Sequence, residues 1–128
     1  KKYLSDISED FIVENYVSEN KSDRYRKWNS GLLEVWTSSI TTVPVNIAWG
    51  NVWRSDNQLG KNYPPGVNFV DVPIVTMTVK TDRADVAWIA PKDSESTTRL
   101  PNYYLLRGEK LSATAKYFVN AYAVGRWK

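Results

Sequence analysis

Strict alternation of side chains at residues 71–80, DVPIVTMTVK, constrains the fold of this chain more than any other feature. Successive side chains of a β-strand point to opposite faces, so an extended stretch of this composition has two different faces. One face carries Val72, Ile74, Thr76, Thr78 and Lys80, and the other carries Pro73, Val75, Met77 and Val79. The second set contains no charged residue, and we predict that it faces a core.

The rest of the chain has a similar character, because short stretches rich in β-branched and aromatic residues are separated by turn residues. Short strands at such intervals are typical of antiparallel all-β domains. Besides 71–80, the predicted strands span residues 10–16, 25–28, 32–37, 41–49, 84–90, 102–106 and 111–127. We therefore predict an all-β fold: an antiparallel β-sandwich or flattened barrel with a short N-terminal stem or linker.

The tripeptide Asn-Ser-Gly at 29–31 predicts a tight hairpin, because glycine tolerates positive φ and the two polar residues can form local hydrogen bonds. In the strand before this turn, Tyr25 and Lys27 point one way and Arg26 and Trp28 the other, and either pair could face the core. A cation stacked on a neighbouring ring and a cross-strand ion pair with Glu34 would each stabilise the hairpin modestly. We interpret this motif as structural.

Other connections are also predicted from turn and strand chemistry. Pro44 indicates an edge strand or a bulge, because proline cannot donate to a sheet ladder. Residues 51–66 are predicted to form a long loop with little regular structure, and the last two strands are predicted to pair through a turn at 107–110. Apolar side chains on both faces of 111–127 predict a central strand or one at an oligomer interface.

With 128 residues the chain fits one domain, which we divide into a stem or linker at 1–9 and a β-sandwich module at 10–128. A helical stem is an alternative for the start of the chain, since Tyr3, Leu4, Ile7 and Phe11 recur at near-helical spacing. The sequence contains no apolar run of the roughly 18 residues that a membrane span needs. It also lacks the pattern of a secretory signal, so release by lysis is the expected route out of a cell.

Composition excludes several kinds of chemistry. The chain has no histidine and no cysteine, which removes catalytic triads, thiolate nucleophiles and most transition-metal sites. The net charge is +3, but basic residues are scattered among acidic ones, so nucleic-acid binding is not predicted. Six Trp, eight Tyr and three Phe are a high aromatic content, as found in sandwiches and in surfaces that bind sugars or proteins.

Carboxylate pairs are the remaining route to catalysis, because a glycosidase needs two of them flanking a bond. The candidate pairs are Asp82 with Asp85, Asp6 with Glu9 or Asp10, and Asp93 with Glu95. Each pair lies in a polar turn or in the stem, where solvated charge is the ordinary explanation. We predict no enzyme activity, no cofactor and no metal site.

Two loops carry the residue types that bind saccharides, in which a ring face packs on the sugar and polar groups hold its hydroxyls. The first candidate set follows residue 51 and comprises Trp53, Arg54, Asp56, Asn57 and Tyr63. The second follows residue 91 and comprises Arg99, Asn102 and Tyr103, beside Tyr104. The alternative for each aromatic residue is packing beneath its own loop.

Two motifs at opposite ends of the chain resemble a known family. YRKWNSG at 25–31, followed by Glu-Val-Trp at 34–36, and YAVGRWK at 122–128 resemble the C-terminal β-rich module of tail-fibre and baseplate-like structural proteins from phages and prophages of Gram-positive bacteria. The resemblance spans nearly the whole chain. It implies a homotrimeric virion component that binds a host cell-surface saccharide or cell-wall polymer and joins other virion proteins through its N-terminal stem.

A weaker similarity, carried by YPPGV at 63–67 and the alternating strand after it, is to the small sandwiches of H-type lectins. Two other functions stay open at this point. One is a purely structural virion part, such as a fibre cap or capsid decoration, and the other is a tail-associated hydrolase that uses Asp82 or Asp85.

Overall fold

Eight β-strands account for the regular structure in the computed structural model, which describes residues 10–56, 58–83, 86–92 and 96–128. The strands are β1 (Ile12–Val17), β2 (Asp23–Trp28), β3 (Leu32–Trp49), β4 (Val52–Ser55), β5 (Ile74–Thr81), β6 (Trp88–Pro91), β7 (Tyr103–Arg107) and β8 (Leu111–Arg126). Every pairing among them is antiparallel. The predicted all-β class is confirmed.

The long strand β3 organises a single curled sheet. One of its sides pairs with β8 along almost its full length, and β5 lies on the far side of β8. Its other side pairs with β2 along the first part of the strand and with β4 along the last part. In the sheet, β1 lies next to β2, and β7 and then β6 lie beyond β4. Because β6 comes back beside β5, the sheet curls into a half-barrel, in agreement with the predicted flattened barrel.

The hairpin between β2 and β3 forms as predicted. The backbone N–H of Gly31 donates to the Trp28 carbonyl at 2.9 Å, and Gly31 has a φ of 103°. Pro44 lies at an irregularity in the register between β3 and β8, so the bulge prediction is confirmed. The predicted strands 32–37 and 41–49 are parts of one strand, because β8 pairs across the gap between them.

Two predicted connections were wrong, and two predicted strands begin later than expected. Residues 51–66 include strand β4, which adds to the edge of β3. The last two strands do not pair with each other: β7 lies between β4 and β6, whereas β8 lies between β3 and β5. The first strand begins at Ile12, and β6 begins at Trp88, later than predicted in both cases. The proposed stem, 1–9, is outside the described residues.

Strand faces follow the sequence pattern closely. In β5, Val75, Met77 and Val79 are half-buried, whereas Ile74, Thr76, Thr78 and Lys80 are exposed. Pro73 is buried on the same side as the first set. In β8 the inward face is buried from Ala115 to Ala123 and the outward face is partly covered, as expected for the central strand that it is.

Two clusters form the core. The first, which includes Tyr25, Leu33 and Phe69, lies between the sheet and the segments that cross it at 58–73 and 96–102. The second, which includes Tyr103 and Tyr117, fills the inside of the curl. Met77 packs against both clusters and makes them one continuous apolar interior.

Candidate functional site

An aromatic and cationic platform lies where β3 ends and β7 passes. The rings of Trp49 and Tyr104 are 5.7 Å apart between centroids, and Trp49 is 50% exposed. The guanidinium of Arg54 lies 4.8 Å from the centre of the Tyr104 ring, and the Lys92 ammonium lies 5.9 Å from it. We call Trp49, Tyr104, Arg54 and Lys92 the platform. Ring faces can pack on the C–H faces of a sugar, and the cations beside them can donate to its hydroxyls.

Arg54 is held in place before any ligand arrives. Its Nη1 donates to the backbone carbonyls of Ser55 at 2.8 Å and Asp56 at 2.9 Å. Fixing a long side chain in advance removes part of the entropy lost on binding. Asp56 is exposed next to this group, and Asn57 lies outside the described residues. Arg54 and Asp56 are therefore the predicted ligand residues that reach this surface.

Three predicted aromatic residues have packing roles. Tyr63 is 7% exposed and Tyr103 is 2% exposed, both within the core. The pKa of Tyr103 is raised, because the effect of burial exceeds the opposite effect of its side-chain hydrogen bonds with Thr41 and Ser39. Trp53 is half-buried against the second core cluster, and the Lys110 ammonium lies 5.5 Å from its ring centre. Of the adjacent pair Tyr103 and Tyr104, the structure turns Tyr104 outward.

Arg99 and Asn102 brace two loop segments. Arg99 Nη2 donates to Asn102 Oδ1, and Asn102 Nδ2 donates to Gln58 Oε1 at 3.3 Å. Isolated bridges join Leu59 to Tyr103 and Asn62 to Arg99. A Cβ on Gly60 would collide with both side chains, so the pair packs directly on the backbone. Arg99 and Asn102 of the second predicted set therefore link the loop segments that cover the core.

The β2–β3 hairpin carries a second aromatic and cationic group. The guanidinium groups of Arg24 and Arg26 lie 5.3 and 5.4 Å from the centre of the Trp36 ring. This agrees with the expected cation–ring stacking on the hairpin. Glu34 does not form the expected ion pair; its carboxylate accepts from Trp28 Nε1 at 2.9 Å and from the Tyr122 hydroxyl at 2.7 Å.

Two tyrosines near the hairpin have raised pKa values. Burial, followed by the hydrogen bond to Glu34 and its charge, raises the pKa of Tyr122 to about 12. Burial and the hydrogen bond to Glu14 likewise raise the pKa of Tyr25 to about 12. The bond from Tyr25, with that from Lys27, lowers the pKa of Glu14.

Alkaline unfolding should depend on Tyr122. Its pKa is 10 in the reference state and about 12 when folded, so folding favours the neutral phenol. Its contribution to stability is complete below pH 10 and is lost as the pH rises through about 12. We expect Tyr122→Phe to flatten the fall in the free energy of unfolding over that interval, measured by urea denaturation at several pH values. Identical pH profiles for the two proteins would contradict this assignment.

None of the candidate catalytic pairs has both of its carboxylates within the described residues. Asp82 Oδ1 accepts from the backbone N–H of Lys116 at 3.3 Å, and Asp10 Oδ1 accepts from that of Ser30 at 2.9 Å. Their proposed partners, and both members of the third pair, lie outside the described residues. Within the described ranges, no group of three or more acidic residues is placed to hold a metal ion. The same ranges contain no helix long and apolar enough to cross a membrane.

Comparisons with known proteins identify the fold. No family model and no curated protein matches the chain. Among solved structures, the C-terminal part of the P. aeruginosa R1 pyocin fibre is 17% identical with a TM-score of 0.55, covering 88% of this chain and 28% of that one. An N-truncated R1-type pyocin tail fibre is 18% identical with a TM-score of 0.57, covering 97% and 93%. The chain thus spans between a quarter and a third of the first structure and nearly all of the second, and it shares the β-rich fold of these tail fibres.

Proposed function

We propose that this chain is the terminal, receptor-facing module of a phage tail fibre or related baseplate protein, attaching to a host cell-surface saccharide or cell-wall polymer. The observation that carries the proposal is the fold shared with 93% of an N-truncated pyocin tail fibre. The hairpin and C-terminal motifs support it, because they lie together: Trp127 Nε1 donates to the Trp28 carbonyl at 2.8 Å. The module acts by binding and not by catalysis.

The platform is the proposed contact surface for the saccharide. Trp49 and Tyr104 offer ring faces, while Arg54 and Lys92 offer donors to hydroxyl or acidic groups. Asp56 extends the polar rim in this proposal. A single shallow site of this kind binds weakly, and several copies on one fibre would raise the apparent affinity.

Self-association into a trimer is part of the same proposal. Val70, Val72 and Ile74 are 54%, 55% and 76% exposed near the start of β5, and Val70 N–H bonds to the Arg126 carbonyl at the end of β8. Exposed apolar side chains grouped in this way mark protein interfaces. They lie at the end of the sheet where Ile12 opens β1, so copies meeting here would keep the platform, at the other end, accessible.

One observation favours a purely structural part as the second candidate. Five of the eight predicted ligand residues pack or brace the fold: Trp53, Tyr63, Tyr103, Arg99 and Asn102. A fibre cap would need only that framework and the apolar patch.

Binding to host cells separates the two candidates. Fluorescently labelled protein should decorate susceptible bacteria, and Tyr104→Ala should weaken the decoration about tenfold, the effect of losing one well-placed ring contact. Ser112→Ala, at an exposed position of β8, is the matched control and should bind like the wild type. Undecorated cells would favour the cap, and a monomeric mass by light scattering would contradict the trimer.

A further inference from the structure

A groove on the outer face of the sheet has the volume and chemistry of a second ligand site. It measures about 610 Å³ and lies between the β1–β2 turn and the outward side chains of β3, β5 and β8. A depression of about 410 Å³ continues it toward Trp36, with Ser22, Ser38 and Asn120 lining both. We propose that this groove binds an anionic saccharide, one bearing carboxylate or phosphate groups. The inference rests on the proposed receptor-binding function and specifies the ligand class.

Positive charge dominates the groove. Lys80 and Lys61 line the larger part, and Lys21 and Arg24 line the continuation, while no carboxylate lines either part among the described residues. Asp23, next to Ser22 and Arg24 in the chain, is engaged by Lys61 at 2.7 Å. Glu34, farther along the same face, is occupied by Trp28 and Tyr122. Lysines around a concave surface raise the local concentration of anions and strengthen their hydrogen bonds.

The neutral polar groups present donors to the groove. Asn20 Oδ1 accepts from the Ser18 hydroxyl at 3.0 Å and from the Ser22 backbone N–H at 3.1 Å. A backbone N–H requires an oxygen acceptor, so the amide orientation is fixed and Nδ2 is turned away from these bonds. Asn120 Oδ1 likewise accepts from the Ser38 hydroxyl at 2.8 Å. The two amide NH₂ groups and the exposed Lys80 ammonium are therefore available to donate to acceptor oxygens of a ligand.

Apolar walls distinguish a sugar from a small inorganic anion. Phe118 and Ile40 face each other across β8 and β3, and Ile40 is 64% exposed. The Lys80 ammonium lies 5.6 Å from the centre of the Phe118 ring. A ring face with a cation at its edge can hold the C–H side of a sugar ring and the acidic group that the ring carries. Trp36 repeats the arrangement in the continuation, with Arg24 at 5.3 Å.

A second copy of the chain is a poorer occupant. Self-contact at this face would bring the same lysines and arginines close together, and like charges across an interface are unfavourable. The exposed apolar patch of Val70, Val72 and Ile74 lies elsewhere, because Ile74 and Lys80 are six residues apart on β5, about 20 Å at the rise of an extended strand. Charge and donor composition therefore favour an anionic glycan in the groove.

Binding of defined polyanions tests the inference. We expect oligogalacturonate or poly(glycerol phosphate) to bind in calorimetry, neutral dextran to bind at least tenfold more weakly, and affinity to fall as salt is raised. Lys80→Gln should weaken polyanion binding about tenfold, since a charge-assisted hydrogen bond is lost. Lys110→Gln removes the same charge from an exposed turn and should bind like the wild type. Phe118→Ala should also weaken binding, with folding checked by circular dichroism.

The outcomes separate this inference from the proposed function. Equal effects of Lys80→Gln and Lys110→Gln, or equal binding of dextran, would overturn the groove assignment. If the wild type decorates cells but binds neither polyanion, the inference fails and receptor binding stands. If it binds polyanions through Lys80 yet no bacteria, the groove assignment stands and the proposed function fails. Whichever polyanion binds identifies the acidic group as carboxylate or phosphate.

Discussion

Gly66→Ala is expected to lower the free energy of unfolding by about 2–6 kcal/mol, combining backbone strain with a steric clash. Gly66 has a φ of +95°, a conformation that residues with a side chain rarely adopt, and an added Cβ would lie 2.5 Å from the Tyr25 hydroxyl oxygen. Tyr25 cannot easily retreat. Its ring is 2% exposed in the core, stacked at 5.1 Å on Tyr16, and its hydroxyl is bonded to Glu14.

Gly50→Ala is the matched control for this prediction. Gly50 also has a positive φ, +64°, but nothing lies within 4 Å of its added Cβ. Urea denaturation should therefore show only the strain, about 1–3 kcal/mol. Adding Tyr25→Phe to Gly66→Ala should recover part of the loss, because the hydroxyl that the methyl meets is gone. Equal losses for the two glycine variants would contradict the clash.

Leu33→Ala is expected to lower the free energy of unfolding by about 2–5 kcal/mol through the cavity it leaves. Leu33 is 0% exposed, and its strand β3 pairs with β2 on one side and β8 on the other. The first core cluster surrounds it, including Val35 and Phe69. Paired strands on both sides leave the backbone little freedom to collapse into the cavity.

An exposed aliphatic side chain provides the comparison. Val86 is 74% exposed, so Val86→Ala should change stability by no more than about 0.5 kcal/mol in the same denaturation experiment. A loss below about 1 kcal/mol for Leu33→Ala would indicate that the first core cluster contributes little to stability.

Local patterns predicted much of this fold because they act over a few residues. The alternation in 71–80 specified the inward face of β5, and the Asn-Ser-Gly turn specified the hairpin, where only neighbouring φ values and side chains matter. Proline chemistry located the bulge at Pro44 for the same reason. These predictions needed no knowledge of distant partners.

The partners of β8 were predicted wrongly, because strand pairing depends on residues far apart in the sequence. The expectation that β7 and β8 form a hairpin treated neighbours in sequence as neighbours in the sheet. The structure instead pairs β8 with β3, so that Trp36 lies opposite Tyr122 and Leu33 opposite Gly125. Such a choice reflects burial of both inward faces at once, and a local turn signal at 107–110 contains no information about it.

The sequence indicated which residue types could form a site, but not which of those residues reach the surface. The sequence by itself determined the absence of histidine and cysteine chemistry, the β-rich class and the presence of aromatic and basic residues near 53 and 103. Only the tertiary structure decided that Tyr103 is buried while Tyr104 is outward, and that Asn20, Lys80 and Asn120 line one groove. The reason is that a strand's register and its partners decide which of two alternating faces meets solvent. Residues tens of positions apart become neighbours through that pairing alone.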